Sequence, residues 1–286
     1  RKGMKEYFVG TDDFQRAHEL TDEGSIHQGG MISANAIRCR KSPIKVGRWM
    51  LDSGAFSQVT QYGDFTMSPR EYVELAVRFQ DCGDLACIVT QDYMCEPQVI
   101  THLKSMGIQA NWRLHQRKSV DRYEQILVEG DRQGLKVPVM PVLQGWEVED
   151  YMEHWSLYCD VNRALGRKSR NVYLTHGYTH DHPQWLGLGS TCKRNAKPQV
   201  VAQILDTMPW HYINGQEDFR IHAFGLKTTA LKHGSIKDRL YSADSFAYDF
   251  HARISGQIRT RRARMDSATR WGKEVRENQV QMHIEI

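Results

Sequence analysis

The sequence predicts an α/β fold of one domain, a (β/α)8 TIM-type barrel, on three observations. Short apolar runs alternate with amphipathic stretches almost from end to end, helix follows strand nearly every time, and polar residues collect at the carboxyl ends of the apolar runs. With 286 residues, 40% of them hydrophobic, the chain is long enough for one large core. Alternation alone would also suit an open doubly wound sheet.

In chain order, strands are expected at Tyr7–Gly10, Trp49–Asp52, Ala86–Asp92, Val137–Gln144, Trp185–Gly189, Ile221–Lys227 and Leu240–Asp244. The eighth has two candidates, Met31–Ile37 and Asn171–Thr175. Helical spacing runs through Pro69–Phe79 behind a Ser68 cap, and through Ser119–Val128, Val148–Tyr158, Pro198–Met208 and Phe246–Arg262. Arg163–Gln184 breaks the rhythm with Gly, Pro and three His, and reads as an insertion or long loop near the barrel mouth. The barrel is expected over residues 4–252 and a basic helical extension over 253–286.

Composition removes several classes of function. No apolar run approaches the roughly 18 residues that span a bilayer, and the amino end lacks the order of a secretion signal, so a soluble, cytoplasmic protein with no membrane partner is expected. The six cysteines are scattered without a C-x-x-C pair, which suits reduced thiols and signals neither a disulfide framework nor a ribbon-type zinc site. None of the 13 histidines has a metal-ligand spacing, and His176, His180 and His182 in the loop read as solvated, so no metal is expected. A P-loop, a G-x-G-x-x-G and a G-x-S-x-G are all missing. The net charge of +4 is mild, but Arg253, Arg259, Arg261 and Arg262 open a basic tail, which is either a solvated face or a contact for a phosphate backbone.

The strand ends carry the chemistry, because a barrel builds its site there. Trp49-Met50-Leu51 leads into Asp52-Ser53-Gly54-Ala55-Phe56, Val89 into Gln91-Asp92, Val142-Leu143 into Gln144-Gly145, Leu186 into Gly187-Leu188-Gly189-Ser190, and Leu240-Tyr241 into Ser242-Ala243-Asp244. Asp52 and Asp244 at one mouth could flank a bound group, as glycosyl transfer with retention requires of two carboxyls roughly 5 Å apart. Each Asp taken alone reads more readily as a helix cap, and it is the two together, with Asp92 as a third, that favour the chemical reading. Asp92, Gln144 and the Gly187–Gly189 backbone offer what a guanine-like base needs: acceptors for its N–H groups, donors for its carbonyl, and an approach without Cβ atoms. Phe56 is either a stacking surface for a flat ring or part of the core.

In this order, D-S-G-A-F-S at Asp52–Ser57, Asp92 in Q-D-Y-M-C-E-P, P-V-L-Q-G-W at Pro141–Trp146, G-L-G-S at Gly187–Ser190, A-F-G-L-K at Ala223–Lys227 and S-A-D-S-F at Ser242–Phe246 resemble the tRNA-guanine transglycosylase superfamily. The nearer match is to its short relatives that insert 7-deazaguanines into DNA, the DpdA family. The resemblance covers about Met4 to Arg253. It implies Asp52 as general acid/base, Phe56 as the ring that stacks on the base, and Asp92 and Gln144 as readers of the base edge, with Ser53, Gly145, Gly187, Leu188 and Gly189 beside it. Asp244 is the implied nucleophile and Asp249 the fallback, because Ala247 stands where the tRNA enzymes carry the attacking Asp. Lys227 and the tail arginines Arg253, Arg259, Arg261 and Arg262 are the implied nucleic-acid contacts.

The resemblance also implies base exchange through a covalent glycosyl-enzyme without a cofactor. The implied partners are DNA, with tRNA as the alternative, a free 7-deazaguanine base such as preQ0, and a second copy in a homodimer. No cysteine follows Cys192, so the zinc subdomain of the tRNA enzymes is not expected. Three other readings stay open: a tRNA-guanine transglycosylase, a non-catalytic binding subunit of such an enzyme, and a nucleoside hydrolase.

Overall fold

The computed structural model describes residues 4–10, 28–165, 184–192, 197–207, 219–226, 228–245, 260, 263, 266–271, 273 and 274. Nine parallel strands form one sheet: β1 (Glu6–Gly10), β2 (Gln28–Ser33), β3 (Arg48–Asp52), β4 (Asp84–Val89), β5 (Val139–Met140), β6 (Val142–Leu143), β7 (Gln184–Leu188), β8 (Phe219–Ala223) and β9 (Ser242–Ser245). Their order is β5-β4-β3-β2-β1-β9-β8-β7-β6. The two strands at the ends of that order are consecutive dipeptides either side of Pro141, so the sheet curls into a nearly closed, TIM-like barrel of eight staves with the fifth broken at the proline.

Pro141 explains the break, since it has no N–H to give to the ladder. Its carbonyl still works: Gly187 N–H donates to Pro141 O at 2.8 Å and Gly189 N–H to Leu143 O at 2.9 Å, while Thr90 N–H donates to Met140 O at 3.0 Å on the other side. One segment therefore bonds to β4 before the proline and to β7 after it.

Alternation along each stave separates two cores. Tyr7 and Val9 of β1, Trp49 and Leu51 of β3 and Leu186 and Leu188 of β7 face outward and pack with the helices. Phe8, Met31, Met50, Cys87, Val89, Met140, Val142 and Trp185 face inward and plug the barrel. Below the plug, Arg48 pairs with Glu6 at 2.9 Å and Asp84 at 2.6 Å, and Arg220 lies over the Trp185 and Tyr241 rings. The lumen thus has a charged floor and an apolar middle, and the next residues up each stave form its top.

Helices return the chain along the outside: Pro69–Phe79, Trp112–Gln133, Val148–Leu165 and Pro198–Thr207, with shorter ones at Ala34–Ile37, Ala55–Tyr62, Pro97–Ser105, Thr228–Leu231 and Gly234–Lys237. The expected cap at Ser68 is a full capping box: Ser68 N–H donates to Glu71 Oε2 at 2.8 Å, and Glu71 N–H to Ser68 Oγ at 3.3 Å. Trp112–Gln133 starts seven residues earlier than the apolar spacing suggested, because Asn111 caps it through Leu114 N–H. In the tail, residues 266–271 are helical, Ala268 is buried, and Trp271 Nε1–H donates to Tyr7 Oη at 3.1 Å.

Several expected bounds shift: the strand expected at Ile221–Lys227 runs Phe219–Ala223, the one expected at Ala86–Asp92 runs Asp84–Val89, and the one expected at Val137–Gln144 is broken at Pro141. The eighth stave is Gln28–Ser33, three residues earlier than Met31–Ile37, because Ala34–Ile37 is already helical. Arg163–Leu165 ends a helix and Gln184 opens β7, so neither belongs to the loop expected over Arg163–Gln184. Asn171–Thr175, the rest of that loop and nearly all of the helix expected at Phe246–Arg262 lie outside the described residues. Among the described residues no helix is long and apolar enough to cross a membrane.

The capping box gives a direct check on the fold. Ser68→Ala should cost about 1 kcal/mol of stability, read from the urea midpoint at constant m-value.

Candidate active site

The lumen above the plug is polar, and alternation puts it there. Two residues above Met31 comes Ser33, two above Met50 comes Asp52, two above Val142 comes Gln144, and β9 offers Ser242 and Asp244 on one face. These are the carboxyl ends of parallel strands, so every group sits at the same mouth.

Asp52 ends β3, where the chain must turn at once into the helix Ala55–Tyr62. Gly54 makes that turn with φ +75°, and a Cβ there would lie 2.1 Å from Asn35 Nδ2. Asn35 Nδ2 donates to Gly54 O at 3.2 Å and so fixes the turn. Gly54 N–H donates to Asp52 Oδ2 at 3.1 Å, and the Ser53 N–H and Ser33 hydroxyl also bond the carboxylate. Burial and then the charge of Asp244 outweigh these donors and push the Asp52 carboxyl up to about 6. Ser53 Oγ is buried and, among the described residues, has no hydrogen-bond partner. Phe56 stands in the first turn of the helix and is 60% exposed, so its ring is not core.

Asp92 sits in the loop after β4, which the helix Trp112–Gln133 grips from outside. Tyr93 N–H donates to Ser119 Oγ at 2.8 Å, and His115 Nδ1 meets Met94 O at 2.6 Å. Gln144 Nε2 donates to Asp92 Oδ2 at 2.5 Å, and its Oε1 accepts from Ser190 Oγ at 2.8 Å. Ser190 holds that position at φ +61°, in the left-handed region that a non-glycine residue seldom occupies. Beneath, Gln116 Nε2 donates to Gln144 O at 2.7 Å and Gln144 N–H donates to His154 Nδ1 at 2.8 Å. Burial pushes the Asp92 carboxyl up to about 7; the Gln144 bond opposes the rise and the charge of Asp52 adds to it.

Asp244, on β9, takes two contacts on one oxygen: Gly225 N–H donates to Oδ1 at 2.8 Å, and His222 Nε2 lies 3.2 Å from the same atom. Asp52, Asp92 and Asp244 are therefore one cluster, in which Asp52 feels the charge of Asp244 and Asp92 that of Asp52.

The glycines have a packing part within the protein itself. A Cβ at Gly189 would fall 2.3 Å from Gln144 Nε2, at Gly187 2.6 Å from the Phe224 ring, and at Gly145 2.8 Å from Asp150 Cβ and the Tyr151 ring. Their missing side chains make room for the protein's own groups. The Leu188 side chain packs outward, so only its backbone is available to the mouth. Lys227, Arg253, Arg259, Arg261, Arg262 and Asp249 lie outside the described residues. Among the described residues no group of three His, Cys, Asp or Glu could hold a metal ion.

Sequence reasoning missed Ser33, Asn35 and His222, and named Ser190 and Ser242 at the strand ends without a role for either. A signal existed for His222: in Phe219–Phe224 it and Arg220 are the polar residues that alternate against outward Phe219, Ile221 and Ala223, as lumen groups must, and His222 is the one nearer the carboxyl end. No comparable signal marked Ser33, because the stave that carries it was misplaced.

Two predictions follow from this geometry. Gly189→Ala should cost about 1–3 kcal/mol by pushing Gln144 off Asp92. Gln144→Ala would leave room for the new methyl, so the double variant should be no less stable than Gln144→Ala alone; full additivity in denaturant titrations would disprove the contact. The second concerns pH. Asp52 and Asp92 ionise near 4 when unfolded but hold their protons to about 6 and about 7 when folded. The folded state binds more protons between those values, so stability is full below about pH 4 and is lost as pH rises through 6 to 7. Between about pH 5 and about pH 8 the wild type should lose on the order of 2 kcal/mol more than Asp92→Asn, and an equal loss in both would refute the raised carboxyl.

A search of curated proteins finds no match to the chain. The sequence does match the family model described as DpdA, DeoxyPurine in DNA protein A, over residues 32–284. That span takes in every stave from the third onward, the last two residues of the second, and all three carboxylates of the mouth, and the chain belongs to the DpdA family.

Proposed function

We propose that this chain is a base-exchange transglycosylase that replaces guanine in DNA with a 7-deazaguanine base such as preQ0, through a covalent glycosyl-enzyme. Family membership implies a role in 7-deazaguanine modification of DNA. The observation that carries the finer reading is the arrangement of Asp52 and Asp244 on β3 and β9 at one mouth, with the Asp92–Gln144 pair beside them.

The target guanine is flipped into the mouth, stacked on Phe56 and read by Asp92, since a base inside a duplex is out of reach. Asp92 is an acceptor for the ring N–H and exocyclic amine of guanine, and those donors favour its ionised form. Gln144 holds Asp92 with one amide hydrogen and keeps a second for the base carbonyl.

Asp244 Oδ2 attacks C1′, because both described contacts of this carboxylate fall on Oδ1. The C1′–N9 bond breaks, its electron pair goes to the base, and Asp52 supplies the proton. The incoming base then gives its N9 proton to Asp52 and attacks C1′, and the bond to Asp244 breaks. A carboxyl held at about 6 can both give and take a proton near neutral pH. One N-glycosidic bond replaces another, so no nucleotide energy source enters. Lys227, Arg253, Arg259, Arg261 and Arg262 supply the phosphate contacts in this reading, on sequence grounds.

The test is incorporation of labelled guanine and preQ0 into duplex DNA and, separately, into tRNA. Wild type should label DNA, and Asp52→Asn and Asp244→Asn should each lower the rate at least about 1000-fold with the fold intact. Label in tRNA alone would move the substrate to RNA, and full activity in both variants would overturn the carboxylate assignment.

A further inference from the structure

Beneath Asp244 lies a polar chain that the base-exchange reading does not use. Strands β8 and β9 are parallel neighbours, with His222 opposite Ser242 and Ala223 opposite Ala243. Ser242 and Asp244 are two residues apart on one strand, so both face the lumen, one level above the other. His222 spans the two levels: its Nδ1 lies 2.8 Å from Ser242 Oγ and its Nε2 3.2 Å from Asp244 Oδ1. The imidazole is fully buried, with the Phe8 ring edge-on at 5.9 Å and the Phe224 ring at 4.7 Å.

Hydrogen-bond chemistry sets the direction of this chain. An ionised carboxylate only accepts, so Nε2 must carry a proton toward Asp244. In the neutral ring Nδ1 is then the acceptor, and the Ser242 hydroxyl is the donor that satisfies it. The order is Ser242 O–H to Nδ1, then Nε2–H to Asp244 Oδ1. With Gly225 N–H on the same oxygen, the two donors hold Oδ1 of Asp244, and Oδ2 has no hydrogen bond among the described residues.

We infer that His222 is a positioning residue for Asp244, which aims Oδ2 of the nucleophile and stabilises the carboxylate as it leaves, with Ser242 fixing the imidazole tautomer. The inference rests on the base-exchange reading. When the incoming N9 attacks C1′, the C1′–Oδ2 bond breaks and its electron pair returns to Asp244, while the N9 proton goes to Asp52. Charge grows on the Asp244 carboxylate in that step, and the Nε2–H bond to Oδ1 strengthens with it. In the first step charge leaves Asp244 and the same bond weakens. The His222 donor therefore favours release of the covalent intermediate over its formation, as a preorganised donor does where charge develops.

The experiment measures exchange into duplex DNA, with labelled preQ0 as incoming base, for wild type, His222→Leu, His222→Gln and Ser242→Ala. The fraction of protein linked to DNA after SDS denaturation is followed at the same time. His222→Leu should lower kcat about 100-fold with KM for DNA within about threefold, and should raise the linked fraction above that of wild type. His222→Gln, whose amide restores a donor, should recover at least about tenfold of that loss, and Ser242→Ala should lose about tenfold. A merely structural role would lower turnover and linked fraction together. Wild-type rates in a folded His222→Leu variant would overturn the inference and leave base exchange standing. If His222→Leu does not fold, Ser242→Ala decides, and an unchanged kcat there overturns it. No exchange by the wild type would sink the base-exchange reading and this inference with it.

Discussion

Closure of the sheet at the segment Val139–Leu143 is the constraint on which the rest of the molecule depends. Pro141 cannot donate, yet the residues before it bond to β4 and those after it, with its own carbonyl, bond to β7. Near-closure joins the two ends of the sheet through one segment and forces alternate side chains of each stave into one lumen. The apolar plug and the polar mouth are two levels of the same alternation, and neither would exist in an open sheet.

The mouth is held at an energetic cost. Asp52, Asp92 and Asp244 share one end of the lumen above its apolar middle, and burial with mutual repulsion raises the first two carboxyls. The surroundings offset part of that cost with oriented donors: Gly54, Ser53 and Ser33 at Asp52, Gln144 at Asp92, and Gly225 and His222 at Asp244. Such a cluster is poorly suited to stability and well suited to moving protons near neutral pH, the pattern expected where local strain is kept for chemistry. Ser190, in its left-handed conformation, belongs to the same pattern, since its hydroxyl orients the amide that orients Asp92.

Glycine has a packing role here that a motif cannot express. In Gly187-Leu188-Gly189 the outward Leu188 enters the outer core, while the two glycines vacate lumen space that Phe224 and Gln144 fill. A run that reads as a cradle for a flat ligand is first a socket for the side chain that braces Asp92. Exposed Phe56 is the opposite case, an aromatic that the core leaves to solvent one turn beyond Asp52.

Local and periodic properties were legible from the chain alone. Apolar runs with intervening amphipathic stretches determined a parallel α/β sheet, Ser68 with Glu71 determined a helix start, and the polar ends of the staves pointed to Asp52, Asp92, Gln144 and Asp244, because each depends on residues close in sequence. What depends on strands far apart in sequence was decided by tertiary structure alone. The stave Gln28–Ser33 opens on Gln28-Gly29-Gly30, and its bounds are fixed only by its pairing with β1 and β3. The His222, Ser242 and Asp244 chain needs the register of β8 against β9, and the bond from Gln144 to Asp92 spans 52 residues. Side-chain direction follows from local periodicity, but which side chains meet is set by closure of the sheet, and no local pattern encodes it.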